Sequence, residues 1–283
     1  MTLLLLQVHD MAAGAAAAPT LEVTWPDLWL AALLVVVAVA ISRWQRLGLE
    51  RGFLVGGIRA VVQLLGVGYV LVYLFATKRW WLVLLALLVM LGAATATATR
   101  RRGSSSVVRE RRRLWNISGT GMLLSSGLTL AYVTHVVLQV RPWYEPRYLI
   151  PLFGMIVGNA MNGAALTIER LASEMDSQRA TVEAYLALGA TPARASAEPV
   201  RRALTAALIP AVNGLMVVGL VQLPGMMTGQ ILAGQSPLLA VRYQVLVAFM
   251  LTGATAMTSV IVALWYRRTF FTAASQLAVR VPV

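Results

Sequence analysis

The sequence predicts an all-α membrane protein: a polytopic bundle of about seven transmembrane helices, with the N-terminus outside, the C-terminus cytoplasmic and a helical elbow on the cytoplasmic side. Three observations predict it. Of 283 residues, 59% are hydrophobic and 12% charged, with a mean hydropathy of +0.73, against about 45–50% and about 25% in soluble globular chains. Apolar runs recur seven times at the length needed to cross a bilayer, roughly 20 residues. The basic residues cluster in alternate loops, and seven crossings satisfy that alternation at every loop.

The runs fall at about 27–42, 52–76, 80–99, 115–140, 148–168, 203–223 and 238–266. Ahead of them, residues 1–24 read as a loose extension. Leu3 to Leu6 is a short apolar run that no Lys or Arg precedes and that His9 and Asp10 soon interrupt, unlike a secretory signal. Residues 25–270 then form one transmembrane domain and 271–283 a cytoplasmic tail. Of 24 basic residues, eighteen lie on one side, among them Arg43, Arg46 and Arg51, the run from Arg100 to Arg113, and Arg267 and Arg268. The other side holds five (Lys78, Arg79, Arg141, Arg147 and Arg242), and Arg59 lies within a span. By the positive-inside bias the richer side is cytoplasmic. A net charge of +13 and a pI near 11.3 would suggest nucleic acid in a soluble chain; between apolar spans they point to membrane lipid and to no nucleic acid. The chain has no cysteine, which excludes a disulfide framework, a thiolate metal site and a cysteine nucleophile.

Most loops are short, but residues 169–202 form a long cytoplasmic segment. Helix formers from Glu169 to Met175 and from Thr181 to Leu188 are followed by Gly189, a favourable residue just past a helix end. Thr191 and Pro192 supply an N-cap and a first-turn proline for a second helix, and Pro199 is expected to kink or end it before the sixth span. Within this elbow Glu183-Ala184-Tyr185-Leu186-Ala187-Leu188-Gly189 presents small residues that permit close approach by another protein, with Glu183 as a charged contact.

Polar residues at bilayer depth cost several kcal/mol on insertion scales, so each asks for an account. Arg59 sits roughly 10 Å into the second span at about 1.5 Å per residue, with Gln63 one turn further on the same face; the pair either lines a path or snorkels. Asn159 and Asn162 share a face of the fifth span. Asn213 follows Pro210 in the sixth, where the proline frees a carbonyl. These amides form either a substrate-facing belt or helix-to-helix bonds. From Leu223 to Gly234 a proline, three glycines, Met226, Met227 and Gln230 read as an irregular outer segment, either a gate or packing. Thioethers favour Cu(I) over Fe(II), so the methionines do not specify iron. His135, the one histidine within a span, and Glu169, at the cytoplasmic end of the fifth, are the remaining metal-ligand candidates. Gly52-x-x-x-Gly56 and Gly154-x-x-x-Gly158 each permit close helix approach.

The Glu-Ala-x-x-x-x-Gly spacing of the elbow resembles the coupling helix by which ABC transporter permeases dock on their ATPase, although the third position, usually Ala there, is Tyr185 here. Leu223-Pro224-Gly225-Met226-Met227-Thr228-Gly229-Gln230, Ala207 to Asn213, Arg242-Tyr243-Gln244, Gly154 to Asn162, and Arg59 with Gln63 are similar to the FetB family of permeases over roughly residues 43–277. That family is described as iron-export ABC subunits, with plant relatives linked to aluminium tolerance. The resemblance implies a non-catalytic, multi-pass inner-membrane subunit that binds no cofactor of its own. ATP and Mg would sit in a partner ATPase, and a permease homodimer would assemble with two such ATPases. The sequence agrees on one point independently: a P-loop needs Gly-x-x-x-x-Gly-Lys, and the chain's one lysine, Lys78, lies outside any such pattern. Other expectations stand beside this one. The cargo could be an organic or nucleotide-sugar solute. An ion-gradient transporter would want a mid-span carboxylate, and a retinal-type receptor a lysine in its last span; neither residue is found.

Overall fold

The computed structural model describes residues 24–100 and 108–278. The N-terminal extension, Arg101, Arg102 and Arg280 lie outside them. Helices are α1 Trp25–Trp44, α2 Glu50–Thr77, α3 Trp80–Arg100, α4 Val108–Ala131 running on as a π-helical turn Tyr132–Val137, α5 Pro146–Ser177, α6 Arg179–Ala187, α7 Pro192–Ala195, α8 Ala197–Val217, α9 Gly225–Leu232 and α10 Pro237–Arg267. Seven of them (α1 to α5, α8 and α10) are long and apolar enough to span a membrane, and among the described residues β-structure is limited to isolated bridges. The chain divides into two compact units, whose described residues are 24–79 with 230–236, and 80–229 with 237–278.

In the first unit α1 and α2 form an antiparallel hairpin. Thr24 caps α1: the Asp27 carboxylate accepts from the Thr24 backbone N–H at 2.8 Å and from its hydroxyl at 2.6 Å, which satisfies a donor that the helix start leaves free. The turn into α2 is closed by the buried Ser42, whose hydroxyl accepts from Leu49 N at 3.1 Å and donates to Glu50 at 3.2 Å.

The second unit is built on α5, which packs against α3, α4, α8 and α10. Leu149, Phe153, Ile156, Ala160, Ala164, Ile168 and Leu171 repeat every three or four residues along its buried face, the periodicity of one side of a helix. Lipid is as apolar as leucine, so close packing and hydrogen bonds must hold such helices together, and glycine supplies the closeness. A Cβ built on Gly163 of α5 would lie 2.8 Å from Thr255 Cγ2 and 2.9 Å from Ser259 Oγ of α10; one on Gly121 of α4 would lie 3.0 Å from Val262; one on Gly119, 3.3 Å from Thr95 of α3. Hydroxyls supply the bonds. Thr95, Thr167 and Thr255 donate to the carbonyl four residues back, at 2.7 to 2.8 Å, and Ser125 of α4 hydrogen-bonds Thr258 of α10 across the helix interface.

Several expectations need correction. The helix of the fifth span does not stop near residue 168 but continues unbroken to Ser177, because residues 169–177 contain no helix breaker and the stripe of buried residues runs on through Leu171 to Met175. Pro199 neither kinks nor ends a helix. It sits in the first turn of α8, where its missing N–H has no intrahelical acceptor to lose, and the break falls earlier, at Ser196 after the four-residue α7. Residues 223–234 are not irregular. After a turn at Val218–Gln222 the two-turn helix α9 starts immediately behind Pro224, a residue suited to helix entry. Gly52 and Gly56 face a cavity shared with Leu34, Val35 and Ala38 of α1, where Gly57 comes to 3.7 Å from Val35; a Cβ on Gly154 would lie 2.9 Å from Met90 of α3, while one on Gly158 meets nothing within 4 Å.

Overpacking a tight core costs about 1–3 kcal/mol. Gly163→Ala is therefore expected to lower stability by about that much in thermal unfolding of the purified protein in detergent, while Gly158→Ala, which meets open space, should stay within about 0.5 kcal/mol. A double-mutant cycle of Ser125→Ala and Thr258→Ala should give a coupling of about 0.6 kcal/mol, the average for hydrogen bonds between membrane helices.

Candidate functional site

The elbow between α5 and α8 is a locally closed structure. Helix α6 ends in a full Schellman motif: Ala190 N–H donates to Tyr185 O at 2.9 Å and Gly189 N–H to Leu186 O at 3.0 Å. Gly189 has φ +84°, the left-handed conformation in which a Cβ is unfavourable. The chain then turns into α7, where Thr191 Oγ1 accepts from Arg194 N at 3.4 Å and Pro192 stands at the helix start. Gly189, Thr191 and Pro192 thus hold the expected positions.

Val182 anchors α6, at 1% exposure, while Tyr185 is 52% and Leu188 84% exposed. Ala184, Ala187 and Gly189 are exposed beside them. Glu183 already pairs with Arg179 on its own helix, at 2.9 Å. What α6 presents outward is therefore mainly a small apolar ridge ending in Leu188, on a segment outside the spanning helices. A cleft of about 720 Å³ runs alongside, bounded by Arg179, Glu183 and Leu186 on one wall and by Ser275, Gln276 and Leu277 on the other.

That second wall was absent from the sequence reading, which took 271–283 as a simple tail. Residues 270–278 fold back as a short hairpin, with Thr272 N–H donating to Gln276 O and Ala278 N–H to Phe270 O, both at 2.8 Å, and Ser275 at φ +59° in the turn. Thr-Ala-Ala-Ser carries no Gly, Asn or Pro to announce a turn. The exposed Leu188 was also missed as a contact residue, because only burial by fold, not hydropathy, separates it from Leu186.

The intramembrane candidates are distributed over both units. Arg59 and Gln63 lie on an exposed face of α2 in the first unit. Asn159 and Asn162 lie on the exposed side of α5, opposite its buried stripe, and Asn213 is exposed on α8. Asn159 does not bridge helices: its amide donates to Met155 O of its own helix at 3.0 Å. Met226 and Met227 are half-buried on α9, and the Gln230 carbonyl oxygen is buried without a partner. His135, exposed in the π-turn, holds its Nδ1 3.2 Å from Ala131 O, whereas Glu169 is exposed toward the other end of the bundle; the two cannot share an ion. Among the described residues no group of three or more His, Cys, Asp or Glu is placed to hold a metal. In the helix interfaces Ser118, Ser126, Thr129 and Ser259 keep buried hydroxyl oxygens with no hydrogen-bond partner.

Seven helices long and apolar enough to span a membrane, four of them packed on α5 in the second unit beside a structured elbow and tail, define a multi-pass membrane protein. The chain belongs to the uncharacterised protein family UPF0014, whose model matches residues 25–271. It is 41% identical over 261 residues to the UPF0014 membrane protein slr1647 of Synechocystis, covering 92% of this chain and 98% of that one. It is 37% identical over 258 residues to the probable iron export permease protein FetB of Escherichia coli, covering 91% and 96%. A plant relative, the protein ALUMINUM SENSITIVE 3 of Arabidopsis thaliana, is 37% identical over 251 residues, 89% of each chain. No solved structure matches the chain at a significant level.

An L-residue in the left-handed region costs roughly 1–2 kcal/mol. Gly189→Ala meets no atom within 4 Å, so its effect should be purely conformational. Hydrogen exchange should show the Gly189 and Ala190 amides opening about tenfold more readily, with the spanning helices unchanged.

Proposed function

We propose that the chain is the membrane-spanning permease subunit of an ATP-binding-cassette exporter, with metal, iron in particular, as cargo and a separate ATPase as motor. The observation that carries this reading is the elbow: a closed nine-residue helix, outside the spanning segments, whose exposed Tyr185–Leu188–Gly189 ridge suits a groove on another protein. The elbow follows directly on α5, so a push on α6 acts on the helix that contacts α3, α4, α8 and α10. Glu183 would contribute a charged contact beside its bond to Arg179. The elbow side is the cytoplasmic side of an inner membrane, in keeping with its arginines. ATP and Mg belong to the partner.

Iron as cargo rests on the name of the Escherichia coli relative. A chain of this size supplies half of a transport path, so two copies with two ATPases form the working complex. Asn159, Asn162 and Asn213, on unburied helix faces, together with Arg59 and Gln63, supply polar groups for a path between copies. Alternating access would expose this path to each side in turn as the elbow moves.

The test is co-purification with the partner ATPase and cargo-stimulated ATP hydrolysis in reconstituted membranes. Leu188→Asp and Gly189→Leu should insert normally while stimulated hydrolysis falls at least about tenfold, the scale of losing one interface anchor. Fe(II) should stimulate the wild-type complex where nucleotide sugars and other organic solutes do not. Full coupling in both variants, or transport by the purified chain alone, would overturn the reading.

A further inference from the structure

The elbow and the end of α10 enclose a second, smaller cavity that the coupling reading does not use. It measures about 330 Å³ and is lined by Thr191 and Pro192 of the elbow and by Arg267, Arg268, Phe271 and Thr272. Its chemistry is one-sided. Among the described residues no carboxylate lines it. Other arginines of the elbow and α8 have carboxylate partners, Arg179 pairing with Glu183, and Arg201 and Arg202 sharing Glu198. Arg267 and Arg268, by contrast, make no ion pair or side-chain hydrogen bond among the described residues.

The two threonines add to this bias. Thr191 Oγ1 already accepts Arg194 N at 3.4 Å, and Thr272 Oγ1 accepts Gln276 N at 3.2 Å. Each hydroxyl therefore has its proton to offer. Two guanidinium groups and two hydroxyl donors with no opposing anion form a surface for a tetrahedral oxyanion, since guanidinium N–H pairs match phosphate oxygens in spacing and charge. Arg267 is the last residue of a spanning helix. Basic pockets at the ends of spanning helices are where anionic headgroups are held, and the cavity is roomy enough for a phosphate with a glycerol unit attached.

We propose that the cavity between the Thr191–Pro192 turn and the Arg267–Arg268 end of α10 is a phosphate-binding site, filled by the headgroup of an anionic phospholipid or by free phosphate. An occupant would join the second arm of the elbow to the end of α10. The site stands whether or not an ATPase docks on α6.

The test uses the full-length chain, purified in detergent and freed of lipid, with native mass spectrometry counting retained molecules during titration with phosphatidylglycerol, phosphatidylcholine or inorganic phosphate. Phosphatidylglycerol should bind about tenfold or more tightly than phosphatidylcholine. The double variant Arg267→Gln/Arg268→Gln should lose about 10- to 30-fold in that affinity, on the scale of two interfacial charges. Arg201→Gln/Arg202→Gln, with the same loss of charge outside the cavity, should bind as wild type. Thr272→Val keeps every charge and should lose about threefold, so it reports on the cavity even if the double variant folds poorly. Phosphatidylglycerol binding with little from inorganic phosphate identifies the lipid as the source; equal binding of inorganic phosphate, with mutual displacement, identifies the soluble anion. The proposal is overturned if the two lipids bind alike and inorganic phosphate does not bind. It is equally overturned if the cavity variants bind as wild type, or if both double variants lose affinity to the same extent.

Discussion

Inside a bilayer, apolar side chains gain little by leaving lipid for protein, so a helical membrane unit depends on how closely its backbones approach and on which polar groups they share. Here both conditions are met at the junction of α5 with α10 and α4. Gly163 lets Thr255 and Ser259 approach to a distance that no side chain would allow, and Ser125 and Thr258 bond across the neighbouring seam. The remaining helices of the second unit are arranged about this junction, since α3 and α8 both pack on α5.

The spans were legible in the sequence because hydropathy over about 20 residues is a local signal, strong enough to place seven helices without knowing what they touch. The elbow's turn was legible for a similar reason: Gly189 and Thr191–Pro192 act on their own backbone, and the Schellman motif and N-cap formed where those residues stand. The errors lie where position within an element or contact between elements decides. Pro199 reads as a breaker until it is known to sit in a first turn. Gly52, Gly56, Gly154 and Gly158 have the spacing of a contact face, but spacing states only that approach is permitted; of these Gly154 meets a neighbouring helix closely, as do Gly119, Gly121 and Gly163, which no spacing marks.

The polar residues follow the same division. Chemistry alone singled out Arg59, Gln63, Asn159, Asn162 and Asn213, and each lies on an exposed helix face. The buried hydroxyls of Ser118, Ser126, Thr129 and Ser259 escaped notice, because serine and threonine disappear easily into an apolar run and only packing reveals that they lack partners. The tail hairpin escaped for the opposite reason: nothing in Thr272 to Ser275 marks a turn, and its two main-chain bonds are visible only in the folded chain.

One dimension of α5 has a mechanical meaning. Its 32 residues make a rod about 48 Å long at about 1.5 Å per residue, while the hydrocarbon layer is about 30 Å thick. A third of the rod is therefore in excess of the hydrocarbon layer, in line with the part that the other helices grip. A stiff shaft of this kind cannot be tilted at its protruding end without the same angle appearing at mid-membrane. Helices α3, α4, α8 and α10 all bear on this one shaft, so a tilt imposed on it reaches each of them.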